Sequence, residues 1–577
     1  MEIFSGNRLK DNAPALLLLF ISLLCSCMTA KSSSPGIEAS PDLKAHSFEL
    51  RQEVIRVTDG VYVAVGFGLA NSILLEGKDG LVIVDTMESA EAAQRVKAEF
   101  SKITSKPVKA IIYTHFHSDH TQGAAVMAGK DTPEVYCHAL TLSHLERIAG
   151  ITRETTYRRA MRQFGSLLPE ENVINAGIGP RLDFDEDKTI AFLPPTRTFS
   201  SDHIEIEAAG MRIVLVHAPG ETPDQIIVWL PEKKVLLPAD NFYRSFPNLY
   251  AIRGTAYRDV MLWVKSIDLM RELDADYLAP HHTRPVCGRE LILETLTNYR
   301  DAIQFVHDQT VRLMNKGLTP QEIVEKVKLP AHLAAQPYLK EYYGTVEWSV
   351  RAIFDGYLGW FSGNAADLFP LRMHEKANRM AELAGGGERL YSCALEAFNK
   401  GDYQWALELS DHLLNLRPKD ERYAVLRSSA LRALGNRQSA ATARNYYLTQ
   451  AMEAEGRLRI GTMKVRQADF LKNIPLAAFF RGMAVRLNPD MSSETDTVAG
   501  FRFPDTNEAF TVHVRRGVAE IRPVFPAKPE ISITVESTIW KEIASGLRNP
   551  ALALFKDVEK EGGIIKIIGF LSLFKEE

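Results

Sequence analysis

Cysteine is scarce. The 577 residues include five, Cys25, Cys27, Cys137, Cys287 and Cys393, with no C-x-x-C pair and two of them in the leader. No disulfide framework is implied, and Cys137 and Cys393, in apolar contexts, read as plain buried thiols. An excess of charge of one sign is also missing. A net charge of −4 gives no sign of a basic surface for nucleic acid or an anionic membrane. Length is what the leader's apolar run lacks: Ala13 to Leu24 is too short to span a bilayer. With Arg8 and Lys10 ahead of it and the small and polar residues Ser26 to Ser34 behind, it reads as a secretory signal.

What remains is the composition of an ordinary soluble protein, 46% hydrophobic and 24% charged, at a length that suggests about three or four domains. Leu24-Cys25-Ser26-Cys27 is similar to a bacterial lipoprotein signal, with Cys27 as the lipidated residue and a possible lipid anchor; cleavage after Ala30 is the competing outcome. Either one predicts export, to the periplasm, to the outer membrane as a lipoprotein, or into the medium. Residues 31–45 read as a tether that carries no core.

The most informative stretch is Thr114-His115-Phe116-His117-Ser118-Asp119-His120, directly after the apolar run Val108 to Tyr113. That run reads as a buried strand, so the cluster occupies the loop at its C-terminal end. Neighbouring side chains cannot share a face of regular structure, which predicts an irregular loop for Asp119 and His120. Imidazole and carboxylate donors in such density suit a pair of divalent cations, zinc above all.

Beyond the tether the pattern is α/β. Glu53 to Ala64, Ser72 to Glu76, Gly80 to Thr86, Ile204 to Glu207, Ile213 to Val216, Ile226 to Leu230 and Val235 to Pro238 are β-rich, and Ala90 to Ile103 has helical periodicity. Two sheets flanked by helices account for this order.

Asn71 to Thr86, followed by T-H-F-H-S-D-H-T-Q-G at Thr114 to Gly123, resembles the metallo-β-lactamase superfamily. The resemblance implies an αββα sandwich and two zinc ions per chain. It assigns His115, His117 and Glu221 to the first ion and Asp119, His120 and His281 to the second. Asp240 is shared, and Asp119 and Asp240 are the expected catalytic carboxylates. Glu221 stands in Ala218-Pro219-Gly220-Glu221-Thr222-Pro223-Asp224, where most members carry His. Asp240 follows Leu237-Pro238-Ala239, and His281-His282 follows Tyr277-Leu278-Ala279-Pro280. His281 is taken as the ligand with His282 behind it, and the reverse order is also compatible. Asp85, ending a strand, is expected to orient a metal-bound histidine.

Glu221, with Asn248 to Gly254 and the block Tyr342 to Phe361, is similar to the secreted alkylsulfatases of this superfamily. That resemblance covers nearly the whole chain after the tether. The best-known members carry Glu at the shared position where Asp240 stands here, which bears on substrate spacing rather than on metal binding. Two adjacent cations bring a water close to neutral pKa, so hydroxide is available at pH 7. A sulfate monoester then needs donors: Arg253 offers a planar fork and Asn248 an amide, with Arg258 a weaker candidate for the same pocket. The implied reaction is hydrolysis of a small amphiphilic alkyl sulfate to alcohol and inorganic sulfate.

Two further domains are expected. The catalytic domain is placed at 46–300 and an all-α domain at 301–450. The latter opens on an amphipathic helix from Asn298 to Thr319 and includes a hairpin with a Gly401-Asp402 turn. In the family this segment mediates dimerisation, so a homodimer is predicted. Residues 455–577 are similar to a sterol-carrier-protein-type α+β fold, read either as a lipid-binding tunnel or as an ordinary sheet–helix core. Within the fold the alternative is a lactonase or lactamase; outside it, a non-catalytic lipid-binding lipoprotein. An oxidoreductase of the flavodiiron kind is disfavoured because His117 stands where its Glu would be.

Overall fold

The computed structural model describes residues 39–185, 187–463 and 474–575. The leader, Cys27 and residues 31–38 of the tether lie outside them. Residues 41–45, expected to be tether, instead form part of the helix Pro41–His46. Ser40 caps its N-terminus by accepting from the Leu43 N–H. Leu43 is fully buried. His46 donates from Nε2 to the Gly177 carbonyl at 2.7 Å and stacks on Tyr342 at 4.0 Å. An apolar leucine at the tether's end is enough to pin it to the domain.

A seven-stranded sheet follows, its strands in chain order: Glu53–Thr58 (β1), Val61–Val65 (β2), Ser72–Glu76 (β3), Leu81–Val84 (β4), Val108–Ile112 (β5), Glu134–His138 (β6) and Arg197–Phe199 (β7). The first four strands pair antiparallel and β4 to β7 pair parallel. A second, six-stranded sheet holds His203–Ala208 (β8), Met211–His217 (β9), Ile226–Leu230 (β10), Val235–Leu237 (β11), Tyr277–Leu278 (β12) and Val286–Cys287 (β13), ordered from β13 back to β8.

Alternation decides which side chains fill the space between the sheets. Val82, Val84, Ala110 and Ile112 from one sheet meet Ile213, Leu215, Ile226 and Val228 from the other. On the outer face of the first sheet, Ala92, Val96 and Phe100 of the helix Ala90–Ile103 pack against Leu74, Ile83 and Ile111. On the outer face of the second, Trp263 and Ile267 of Val260–Glu272 pack with Tyr299 and Ile303 of Arg289–Met314 around Ile227 and Leu236. The result is the αββα sandwich the sequence predicts.

The amphipathic helix expected from Asn298 to Thr319 in fact runs Arg289–Met314. A boundary at residue 300 would cut this helix where Tyr299 and Ile303 are both fully buried, so the helix belongs to the sandwich. Beyond it come Val346–Leu358 and then Met373–Ala384, Gly387–Asn399, Tyr403–Leu416, Glu421–Arg437 and Ala441–Ala454. Gly401 has φ +83, a left-handed turn that suits glycine, and Asp402 caps the following helix by accepting from the Trp405 N–H. Ala441–Ala454 rests on the helix Arg153–Phe164 of the first domain: Arg162 pairs with Glu453 at 2.8 Å, and Asn445 Nδ2 donates to the Phe164 carbonyl.

The C-terminal domain is a five-stranded sheet of Asp496–Phe503 (β14), Glu508–Arg515 (β15), Val518–Arg522 (β16), Ile531–Thr534 (β17) and Glu559–Glu561 (β18), with order β16-β15-β14-β17-β18. Phe480, Phe501, Phe503, Phe510 and Trp540 pack together in its core. The apolar end of the chain is the helix Ile564–Ser572.

Candidate metal centre

Parallel pairing of β4 and β5 places Val84 opposite Ile112, so the residues that follow, Asp85 and Tyr113-Thr114, leave the sheet at one edge. Asp85 takes a left-handed conformation, φ +58, and its carboxylate is fully buried. Oδ1 accepts from the Thr114 N–H at 2.8 Å. Oδ2 accepts from Thr114 Oγ1 at 2.7 Å and from His120 Nδ1 at 2.6 Å. With Nδ1 donating to Asp85, His120 presents Nε2. Thr114 Oγ1, its own proton committed to Asp85, accepts from His115 Nδ1 at 3.0 Å, so His115 also presents Nε2. Asp85 thereby orients two imidazoles through one carboxylate.

His115 to His117 lie on the irregular loop expected after the strand, but Asp119 and His120 do not: Ser118–Thr121 forms one helical turn. On it Asp119 Oδ2 lies 3.4 Å from His120 Nε2.

Glu221 stands on the loop after β9. A Cβ at Gly220 would overlap Asn241 Oδ1, so only glycine lets this loop pass so close to the segment that carries Asp240. Asp240 sits in the 3-10 turn Ala239–Asn241, just after β11. Asn241 Nδ2 donates to the Ala218 carbonyl at 2.8 Å, tying the two loops together.

The order of the histidine pair is the reverse of that favoured from sequence. His282 Nε2 lies 3.3 Å from Asp240 Oδ2 and 3.6 Å from Asp119 Oδ2. His281 faces away from that cluster, its Nε2 3.5 Å from Asp85 Oδ2. The cause is local. Asn71 Nδ2 donates to the carbonyls of Pro280 and Thr283, and its N–H donates to the His281 carbonyl. His282 Nδ1 donates to the Leu69 carbonyl at 2.8 Å, which leaves Nε2 directed at the carboxylates.

Seven side chains thus converge. Donor atoms of His115, His120 and Asp240, of Asp119, His120 and His282, and of His117, Glu221 and Asp240 lie within 4.8 Å of one another in each group. Asp240 Oδ2 is 3.6 Å from both His115 Nε2 and His120 Nε2. His120 Nε2, His282 Nε2, Asp240 Oδ1 and Glu221 Oε2 are buried with no hydrogen-bond partner. Buried polar atoms are rarely left so, and imidazole with carboxylate is a donor set divalent cations such as zinc take. The residues fit metal ions.

Electrostatics agrees. Burial pushes His115 down to about 3 and His117 well below its ordinary value, keeping both as neutral donors. Burial also disfavours charge on His120, but the Asp240, Asp119 and Asp85 carboxylates outweigh it and raise its pKa well above the usual range. Against the same burial, His282, His120 and His115 hold Asp240 far below the carboxylate range, and His120 chiefly holds Asp119 at about 2. The Asp85, Asp119 and Asp240 carboxylates thus draw positive charge towards the cluster, raising His120 and, against its burial, His282. Burial raises Glu221, with the Arg258 guanidinium opposing.

Above the cluster lies a cavity of about 290 Å³. His117, Asp119, Glu221 and Asp240 form its floor and Arg253 its edge; its walls are mostly apolar, among them Leu69, Phe116, Tyr157, Met161, Phe164 and Phe192. Arg253 Nη2 is 2.9 Å from His117 Nε2, its N–H donates to Gln163 Oε1, and Nη1 has no partner. Tyr343, from the block beginning at Tyr342, also lines the cavity, as do Ile474 and Pro475 at the entry to the C-terminal domain. Asn248 and Arg258 are not among the described residues that line it. Arg258 lies against Glu221, its Nη1 in an ion pair with Glu221 Oε1 at 2.8 Å and donating to the Asn248 carbonyl at 2.5 Å. The helical wall of Tyr157, Met161 and Phe164 went unread in the sequence, because its apolar spacing looks the same whether it faces a core or a cavity. The Leu69 carbonyl had no signal there at all.

Comparison with known proteins points the same way. Residues 65–282 match the metallo-beta-lactamase superfamily, 319–457 match alkyl sulfatase dimerisation, and 464–577 match the alkyl sulfatase C-terminal family. A linear primary-alkylsulfatase of Pseudomonas sp. is 40% identical over 525 residues, spanning 87% of this chain and 98% of that one. The alkyl/aryl-sulfatase BDS1 of Saccharomyces cerevisiae is 31% identical, spanning 91% of this chain and 82% of that protein. The solved structure of the stereoselective inverting sec-alkylsulfatase Pisa1 from Pseudomonas sp. is 28% identical, with a TM-score of 0.86 over 93% of this chain and 87% of that one.

Proposed function

Because the chain belongs to the alkylsulfatases of the metallo-β-lactamase superfamily, we propose that it hydrolyses alkyl sulfate esters to alcohol and inorganic sulfate. The observation that carries this reading is one cavity that joins a floor of metal donors and a guanidinium to an apolar wall. An alkyl sulfate is a molecule of the same two halves.

In this reading His115, His117 and Glu221 would hold one zinc ion and Asp119, His120 and His282 a second, with Asp240 available to both groups. Zinc bound there would supply an acidified water and positive charge against the ester's negative charge. Arg253 binds the sulfate group through its unpartnered Nη1 and neighbouring donors. Asp119 and Asp240, both on the cavity floor and held ionised, accept hydrogen bonds from the attacking water and orient it. The apolar wall grips the alkyl chain and keeps bulk water from the reacting bond.

A homodimer is part of the proposal. From the end of Val346–Leu358 to the first residue of Met373–Ala384 the chain exposes Trp360 at 72%, Phe369 at 95% and Met373 at 70%. These lie within the residues that match the dimerisation family, and a second copy would cover them. Export is proposed from the Ala13 to Leu24 signal, as a periplasmic protein, an outer-membrane lipoprotein anchored at Cys27, or a secreted protein.

The test is sulfate release across a series of primary alkyl sulfates of increasing length. Each methylene that enters the wall contributes up to about 0.8 kcal/mol, or about fourfold in kcat/KM, until the cavity is filled. A rate indifferent to chain length would contradict the assignment of the wall.

A further inference from the structure

Arg258 was expected at the sulfate, and the structure puts it elsewhere. It is 4% exposed and sits just ahead of the helix Val260–Glu272. Its Nη1 forms an ion pair with Glu221 Oε1 at 2.8 Å and donates to the Asn248 carbonyl, and its Nε and Nη2 have no hydrogen-bond partner. A guanidinium cannot shed its charge, and a buried ion left alone is costly. The carboxylate at 221 answers that charge through Oε1, while its Oε2 has no hydrogen-bond partner and the residue belongs to a donor group with His117 and Asp240.

We infer that Arg258 is a positioning residue for Glu221, fixing which carboxylate oxygen faces the metal and making carboxylate rather than imidazole the donor this position requires. A histidine at 221 would be neutral as a ligand and would strand Arg258. The two residues therefore act as one unit, and neither is replaceable alone. This inference rests on Glu221 as a metal ligand.

The experiment is a double-mutant cycle read by zinc affinity in competition with a chelator, with KM for dodecyl sulfate measured in parallel. Arg258→Met, which removes charge while keeping bulk, is expected to weaken one zinc site by about 10- to 100-fold. KM should change far less. Arg258→Lys, which keeps the charge without the planar fork, should fall between the two, and it stands in should the methionine variant fail to fold. Glu221→His alone should lose zinc, and Glu221→His with Arg258→Met should regain at least tenfold over it. Additive losses in the cycle would overturn the inference. So would an Arg258→Lys or Arg258→Met variant with unchanged zinc affinity and a raised KM, which would return Arg258 to the substrate. Full zinc affinity in Glu221→Ala would instead overturn the ligand role of Glu221 itself, whatever Arg258 does.

Discussion

The cavity floor and the segment from Trp360 to Met373 break the same rule in opposite directions. In the metal cluster that includes the floor, polar atoms of His120, His282, Asp240 and Glu221 are buried with no hydrogen-bond partner. Along the segment, Trp360, Phe369 and Met373 are apolar and largely exposed. A folded chain ordinarily satisfies buried polar atoms and covers large apolar patches. Each departure has the shape of what would complete it: cations in one place, a second copy of the chain in the other.

The largest effect should come at the edge of the floor. Arg253→Ala removes a charged donor from the sulfate group and is expected to lower kcat/KM for alkyl sulfates by about a hundredfold with zinc content unchanged. Equal activity in that variant would mean the anion is held elsewhere, and the floor would lose its link to sulfate. On the other side of the comparison, Trp360→Ser with Phe369→Ser should raise the dimer dissociation constant by roughly 30-fold, as loss of a large aromatic anchor does. Sedimentation velocity checks this, and an unchanged dimer would place the interface off the segment.

A third prediction, on stability rather than activity, sharpens the rule by an exception. Glu88 Oε2 is also buried without a partner, yet its carboxylate is not among the metal donor groups; Oε1 accepts from the N–H groups of Leu69 and Asp183. Burial raises its pKa from 4.5 to about 7, so a proton rather than a metal relieves it. The native state then holds that proton more tightly than the unfolded chain. Stability is full below the unfolded value and falls as pH rises through the window up to the folded one, by about 3 kcal/mol at most. Glu88→Gln should flatten this dependence, so that its melting temperature gains on the parent's between pH 5 and 8. Parallel pH profiles would contradict the assignment.

How much of this was legible depended on how locally each feature is specified. β5 and the donors after it are a short apolar run and its exit, and periodicity with residue chemistry suffices for both. Glu221 and Asp240 carry no local mark, and only the resemblance singled them out. The order of His281 and His282 was illegible because Asn71 and the Leu69 carbonyl set it from about two hundred positions away. Arg258 was misplaced for a similar reason: a loop arginine beside a sulfate and one behind a carboxylate have the same sequence. The helix Arg289–Met314 of the sandwich starts earlier than its sequence suggests because its apolar stripe already begins at Ile292, against the second sheet.

One measurement addresses the central claim most directly. Protein stripped by a chelator is titrated with zinc while sulfate release from dodecyl sulfate is followed. The account predicts no release at zero zinc and recovery that saturates at two zinc per chain. Undiminished release from the stripped protein, or a fully loaded protein that releases none, would contradict it.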